Sequence, residues 1–377
     1  MDFNFSDDQE QLRDAVRKWV AKAYTFERRR SIASAGGFSR EAYTELAELG
    51  LSGLYIPEAH GGLDMGPIEG MVVMEELGRG LVLEPVAHSL LAGAVLNAWA
   101  PEQVKTAWLP KIASGEALVV LAHQERAARY RLDICDAKAT QSSSGTEGTG
   151  GWTLNANKSI VPAGDQADAF LVPAMLLGQQ ALFLVEHQAS GVSTRGYSTQ
   201  DGGRAAEVQI DNAAATLITL DGLAALEHAV EIGIAAACAE AVGVMDSALA
   251  ITVDYMNQRK QFGVVISSFQ ALRHRVADMK MHLELARAMS YYASLKLNAP
   301  ADERRAAMAR AKYQLGQSMR FVGQQAVQLH GGIGVTDEYI VSHCFKKLTQ
   351  LEMTFGDSLH QLSEVSARMQ DTAGVFA

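Results

Sequence analysis

The stretch "QLHGGIGVTDEY", residues 328–339, closes a long apolar rhythm and decides how the chain is read. Ahead of it stand Met308, Ala311, Leu315, Met319, Val322, Ala326 and Leu329, at the mixed spacings of three and four that mark a helix with a narrow apolar seam. Gly331-Gly332 stops that helix, and one of the two would suffice as its C-terminal cap. A cap leaves Gly334 unexplained. Three glycines in four residues remove Cβ atoms and free backbone N–H groups, so a flat or phosphorylated ligand can approach the main chain. His330 reads either as part of that ligand turn or as a hydrogen-bonded core histidine.

Upstream, Phe269, Leu272, Val276, Met279, Leu283 and Ala286 repeat the rhythm. Before them, "AALEHAVEIGIAAACAEAVGVMDSALAITVDYMNQRKQFG" is apolar on nearly every face, which predicts a central helix. Residues 223–377 therefore read as a C-terminal four-helix bundle, a form often extended by a partner subunit. Over 116–222 the period changes. "EALVVLAHQ", "GWTLNANKSIVPAG", "DAFLVPAML", "QALFLVEH" and "AAEVQIDN" are short β-like runs between Gly, Asn, Asp and Pro, which predicts a compact antiparallel barrel or sandwich. "QSSSGTEGTGG", 141–151, reads as a flexible surface loop. Residues 1–115 return to helical spacing. Ser6 is an N-cap with acids after it, Gly50 ends a helix, a new helix follows Gly66, and Pro110 closes another. The expected fold is α+β and multi-domain but mostly α: an N-terminal helical domain, a middle β-barrel-like domain and the C-terminal bundle.

The chain has 377 residues, 48% hydrophobic and 20% charged, enough for a large core. Its formal charge of −10 excludes a general nucleic-acid binder, although a few placed arginines can still hold a phosphate. Cys135, Cys238 and Cys344 form no C-x-x-C and read as reduced, buried small hydrophobes; no metal site is expected. The start, "MDFNFSDDQEQL", lacks the basic flank and apolar run of a signal peptide. The most apolar stretch, Ile232–Val244, is too short to span a bilayer. A cytoplasmic protein without a membrane role is expected.

Two further segments carry chemistry. "NQRKQFG", 257–263, places Arg259 at the end of the buried helix, where a cation complements the C-terminal dipole, and Phe262-Gly263 follows. "KKLTQLEMTFGDSLHQLSE", 346–364, sets Glu352 and Asp357 around Phe355-Gly356. Glu352 reads as a solvated helix residue. Asp357 suits two roles, an N-cap for the helix that follows or a carboxylate that accepts a proton.

Taken in order, "RKQFG", "FQ", "ADM" and "QLHGGIGVTDEY", with "IPEAHGGLDMGPIEGMVVMEELGRG" upstream, resemble the acyl-CoA dehydrogenase family over almost the whole chain. The resemblance implies an FAD between the β-domain and the C-terminal bundle, with its adenine half reaching a neighbouring subunit. It places Arg259 on the FAD pyrophosphate, a bidentate task suited to guanidinium. Phe262, Phe269 and Gln270 would contact the cofactor, and the turn Gln328, Leu329, His330, Gly331 and Gly332 would cradle the pyrophosphate. It further implies an acyl-CoA substrate desaturated between its α and β carbons, electrons passed to an electron-transferring flavoprotein, and a homo-oligomer or a heterotetramer with a second dehydrogenase subunit.

The sequence also departs from that family. Counted without gaps from Glu338-Tyr339, its Tyr-Glu-Gly-Thr falls on Thr354-Phe355-Gly356-Asp357, so Phe355 occupies the position of the catalytic glutamate. A second family location for the base falls near Gly233 and Ile234, equally inert. The flavin-packing Trp-Ile-Thr corresponds to Ile160-Val161-Pro162, and the serine-bearing glycine-rich loop to "HQERAARYRLD". "FGDSLH" looks like the smaller subunits of bacterial dehydrogenases that work in unlike pairs on bulky or carboxylated acyl groups. Asp357 is left as the candidate catalytic residue. Two other readings share the fold: a non-catalytic partner that completes a heteromeric dehydrogenase, and a flavin monooxygenase, which needs no thioester base.

Overall fold

A computed structural model describes residues 5–141 and 151–373, so most of the loop read at 141–151 lies outside the described residues. The N-terminal segment forms α1 (Asp7–Ala23), α2 (Phe26–Ser34), α3 (Arg40–Glu48), α4 (Pro67–Arg79), α5 (Val86–Trp99) and α6 (Glu102–Ala113). Ser6 starts α1 through a reciprocal box: Gln9 N donates to Ser6 Oγ at 3.3 Å and Ser6 N to Gln9 Oε1 at 3.0 Å. Gly50 takes φ 80 just after α3, a conformation glycine adopts without strain. Pro110 does not close α6; it lies in the last turn and its carbonyl still accepts from Ser114 N at 3.0 Å.

The β region is β1 (Val119–Leu121), β2 (Lys138–Gln141), β3 (Trp152–Pro162), β4 (Ala169–Leu176), β5 (Gln179–Glu186), β6 (Val192–Ser198) and β7 (Arg204–Thr219). Strands β4, β2, β3, β7 and β5 pair in a closed ring, with β1 on β4 and β6 on β7. The ring is a small barrel filled by Leu154, Val161, Phe170, Val172, Phe183 and Val208. It is not wholly antiparallel: β4 pairs in parallel with both β1 and β2. Strands β2 and β6 had no apolar run to announce them, because nearly all their residues are exposed or only half-buried.

The C-terminal segment forms α7 (Gly222–Gln258), a two-stranded hairpin of β8 (Lys260–Gln261) and β9 (Val264–Val265), α8 (Gln270–Lys296), α9 (Ala301–His330), α10 (Ile340–Met353) and α11 (Ser358–Ala373). Helix α9 is central, packed against α8, α10 and α11. At 37 residues α7 is long and apolar enough to cross a membrane, which corrects the expectation drawn from its shorter apolar core; 78% of its most apolar window is buried within the protein, as for a core helix.

The chain divides into two compact units. One comprises Met1–Arg30, Pro67–Val82 and Ile234–Ala377, the other Ser31–Gly66 and Leu83–Gly233. In the first, α4 and α7 meet backbone to backbone. A Cβ on Gly78 would lie 2.0 Å from Glu240 O, and one on Gly243 would lie 1.8 Å from Glu75 O. Ion pairs Arg79–Asp246 and Arg287–Glu75 join α4 to α7 and α8 in the same unit. In the second, Tyr43 joins the barrel core and donates to or accepts from Ser89 Oγ at 2.9 Å.

Candidate active site

Helix α7 ends where its side chains turn from apolar to polar. Arg259 N still donates to Tyr255 O at 2.8 Å, while Ile266 N donates to Arg259 O at 2.8 Å and closes the hairpin back onto the helix end. Phe262 and Gly263 make its tip, both at positive φ (53 and 79). Phe262 is 91% exposed and its ring meets Phe269 edge to face at 6.1 Å. Arg259, just past the end of α7, and Gln270, the first residue of α8, are exposed on either side of this hairpin in the chain. A tip of uncovered aromatic rings beside a guanidinium offers apolar surface and anion pairing together.

The glycine turn is tied to that helix end by Tyr255, a residue the sequence reading did not single out. Tyr255 Oη donates to His330 O at 3.3 Å, and the two rings stack at 4.4 Å. His330 is 3% exposed; its Nδ1–H donates to Ala326 O at 2.8 Å, and Tyr339 flanks it at 5.2 Å. Burial lowers its pKa and keeps the ring neutral. Among the described residues its buried Nε2 has no hydrogen-bond partner. Leu329 is buried and Gln328 exposed.

The three glycines of the turn separate on inspection. Gly331 caps α9 at φ 65. Gly334 has a packing reason after all, since a Cβ there would lie 2.7 Å from Val327 O and 2.9 Å from His330 Cβ. Gly332 has neither: its backbone is unstrained and a Cβ would meet nothing within 4 Å. Nothing in the fold requires a glycine at 332, so open space beside its main chain is what a cradle for a ligand would use.

The segment from α10 to α11 is a pinned turn. Phe355 and Gly356 both take positive φ (56 and 106), and Asp357 caps α11, with His360 N donating to its Oδ1 at 2.8 Å. Gln361 Nε2 donates to Phe355 O at 3.0 Å. Glu352 is not the solvated residue expected. It is 8% exposed, and its Oε1 accepts from Ser358 N at 2.9 Å, Ser358 Oγ at 2.6 Å and Arg320 Nη2 at 3.4 Å. The sequence reading treated it as exposed because helical spacing says nothing about a chain that doubles back over it. Gly233 and Ile234 are buried in α7.

In the β unit, β3 bulges between Lys158 and Val161 and extrudes Ile160, which is 48% exposed at φ 53. A β-branched residue in the left-handed region is strained. Beside it Ser159 Oγ donates to Glu207 Oε2 at 2.9 Å, and both residues line a cleft of about 1060 Å³ with Asn157, Arg195 and Gln209. The run "HQERAARYRLD" hides a buried ion pair. Lys158 Nζ donates to Glu125 Oε1 at 2.5 Å and to Pro173 O at 3.1 Å, and Glu125 also accepts from the amides of Asp136 and Ala137. Burial raises the Glu125 pKa, but Lys158 and those amides outweigh it and leave it lowered. Cys135, half-buried rather than buried, donates to Pro173 O at 3.4 Å beside this pair.

The acyl-CoA dehydrogenase N-terminal domain pattern matches residues 6–116 and the C-terminal domain pattern residues 221–370, together more than two thirds of the chain. The chain belongs to the acyl-CoA dehydrogenase family. It is an oxidoreductase of that flavin-dependent family. Acyl-CoA dehydrogenase FadE27 of Mycobacterium tuberculosis is 27% identical, over 99% of this chain and all of that protein. The short-chain-specific acyl-CoA dehydrogenase of Clostridium acetobutylicum is 28% identical, over 98% of this chain and all of that protein. A solved structure of a variant of the "Tcur3481-Tcur3483 steroid ACAD" superposes with a TM-score of 0.88 at 26% identity, over 98% of this chain and 99% of that one.

Proposed function

We propose that the protein is the FAD-holding subunit of an acyl-CoA dehydrogenase built from two unlike chains, with the proton-accepting carboxylate on the partner chain and electrons delivered to an electron-transferring flavoprotein. The observation that carries this reading is the pinned turn at 354–358. On the ungapped count Phe355 falls where the family carries glutamate, and the carboxylate next along the chain, Asp357, has its Oδ1 on the first turn of α11. A phenyl ring cannot take the α-proton of a thioester, whereas it can wall an apolar acyl pocket.

The residues toward FAD fit the group on this chain's own geometry. Arg259 is exposed at the end of α7, Phe262 and Phe269 present uncovered rings, Gln270 opens α8, and Gly332 leaves its main chain clear. Arg259 would pair with the pyrophosphate, the two phenylalanines and Gln270 would bear on the cofactor's planar parts, and the turn at residues 328–332 would cradle it where the main chain of Gly332 is open. A flavin held there would supply the hydride acceptor for the β-carbon of the acyl thioester. His330, neutral and locked by Ala326 and Tyr255, would hold the glycine turn in place. The unlike pairing is further supported by the joined two-chain name of the steroid ACAD relative, which also favours a bulky acyl group.

Purification from the native cell, followed by a visible spectrum, tests the reading. A yellow protein is expected that copurifies in equal amount with a second acyl-CoA dehydrogenase chain. Bleaching by acyl-CoAs should require that chain, and Arg259→Ala should fold yet lose flavin on dialysis. A colourless wild type, or a lone chain that oxidises acyl-CoA at full rate, would overturn the proposal.

A further inference from the structure

Helix α9 presents two residues one turn apart to the chain that leaves α10. Lys312 is 1% exposed, and its ammonium donates to Leu351 O at 2.8 Å, Glu352 O at 2.8 Å and Gly356 O at 3.2 Å. Gly316 supplies a gap, since a Cβ there would lie 2.2 Å from Ser358 Oγ. Among the described residues no carboxylate lies within ion-pair distance of Lys312. A buried cation satisfied by carbonyls alone is an expensive arrangement unless the geometry it enforces matters. Here the three carbonyls lie on both sides of Thr354 and Phe355, so a single charged group joins the end of α10 to the far side of the turn.

We propose that Lys312 is a positioning residue: its ammonium gathers the Leu351, Glu352 and Gly356 carbonyls and so fixes where Phe355 and Asp357 stand in the acyl site. This rests on the reading of the 354–357 turn as a wall of that site. Several features concur. The two carbonyls of Leu351 and Glu352 belong to the last turn of α10, the negative end of its dipole, where a cation is favoured. Phe355 holds a left-handed φ that an unrestrained chain would relax, and the clasp on the next carbonyl opposes that relaxation. Glu352 pulls from the opposite side, through Ser358 N and Oγ. Burial brings the Lys312 pKa down to about 8, with Cys238, Glu352 and Asp357 opposing the fall, so the ammonium persists at neutral pH.

Amide hydrogen exchange on the purified flavoprotein, wild type and Lys312→Met, reads the clasp directly. Met matches the length and removes the donors. Exchange over 353–361 should quicken by about tenfold or more while the barrel strands stay unchanged, because only a local opening is made easier. Lys312→Gln, which keeps two N–H donors without charge, should fall between. The second measurement is binding of acetyl-, octanoyl- and palmitoyl-CoA, followed by the flavin spectrum. The acyl-CoA that binds wild type best should bind Lys312→Met at least about fivefold more weakly, with flavin content unchanged. Unaltered exchange over 353–361 overturns the clasp. Exchange that rises everywhere, or failure of both variants to fold, also overturns it, because Lys312 would then serve the core and not the turn. Local loosening with unchanged acyl-CoA affinity leaves the clasp but removes the turn from the acyl site, and the proposed function fails at that point instead.

Discussion

Lys158 and Glu125 show what a single buried pair contributes. Both are out of water, 2.5 Å apart, and Glu125 takes two amide hydrogen bonds besides. Removing one partner strands the other charge, so Lys158→Met should cost about 3–5 kcal/mol, read by urea denaturation of the purified protein. A cost near zero would mean that Glu125 takes up a proton or water at no penalty. The pH dependence has a definite sign. Because the folded-state pKa of Glu125 is lowered, its contribution is full above the ordinary glutamate range and is lost as pH falls below it. The Lys158→Met protein should therefore lose less stability than wild type between about pH 5 and pH 3, where an ordinary glutamate titrates. At this scale local chemistry was legible and distant chemistry was not. Asp357 as an N-cap could be read because the cap adjoins its helix and the amide it satisfies is three residues on. Glu125–Lys158 are 33 residues apart, and Lys312 is 44 from Gly356. No spacing rule connects them.

Elements were legible wherever burial was one-sided. The narrow seam of α9 and the alternation of β3 announced themselves, while β2 and β6 were missed because their exposed residues carry no apolar signal. The contact between α4 and α7 was equally silent, since it depends on the absence of side chains. Gly78 and Gly243 let the two backbones touch, and α7 looked merely apolar all round. Two substitutions separate the kinds of glycine. Gly243→Ala forces a methyl 1.8 Å from Glu75 O, in a rigid helix backbone. It should destabilise the protein by about 3 kcal/mol or more, the upper end of overpacking. Gly332→Ala meets nothing, so its melting temperature should stay within about 2 °C of wild type, yet its flavin should dissociate more readily if the main chain there meets the cofactor. Calorimetry with a flavin assay on both variants decides the matter. Flavin retained by Gly332→Ala would leave that glycine without a role.

At the scale of the whole molecule, the proposed activity belongs to an assembly. Met281 and Leu285 on α8, and Leu359, Leu362 and Met369 on α11, are exposed at helical spacings, more apolar surface than isolated positions would leave. Such faces suit further subunits, and a base carried by an unlike chain, as proposed, would need one. Asp357→Asn discriminates between the two remaining owners of the proton transfer. Asn caps a helix about as well as Asp, so folding and flavin content should be unchanged. An amide cannot accept the α-proton. Were Asp357 the base, acyl-CoA oxidation would slow by roughly 10²–10⁴. With the base on the partner, the variant should run within about threefold of wild type once the unlike chain is added, since only the cap has been exchanged. The same outcome should hold for Phe355→Leu, which keeps an apolar wall. The decisive measurement is stopped-flow flavin bleaching of the reconstituted pair, with the turn altered on this chain or a carboxylate removed from the partner. A hundredfold loss from Asp357→Asn alone would return the chemistry to this chain and make the partner a scaffold.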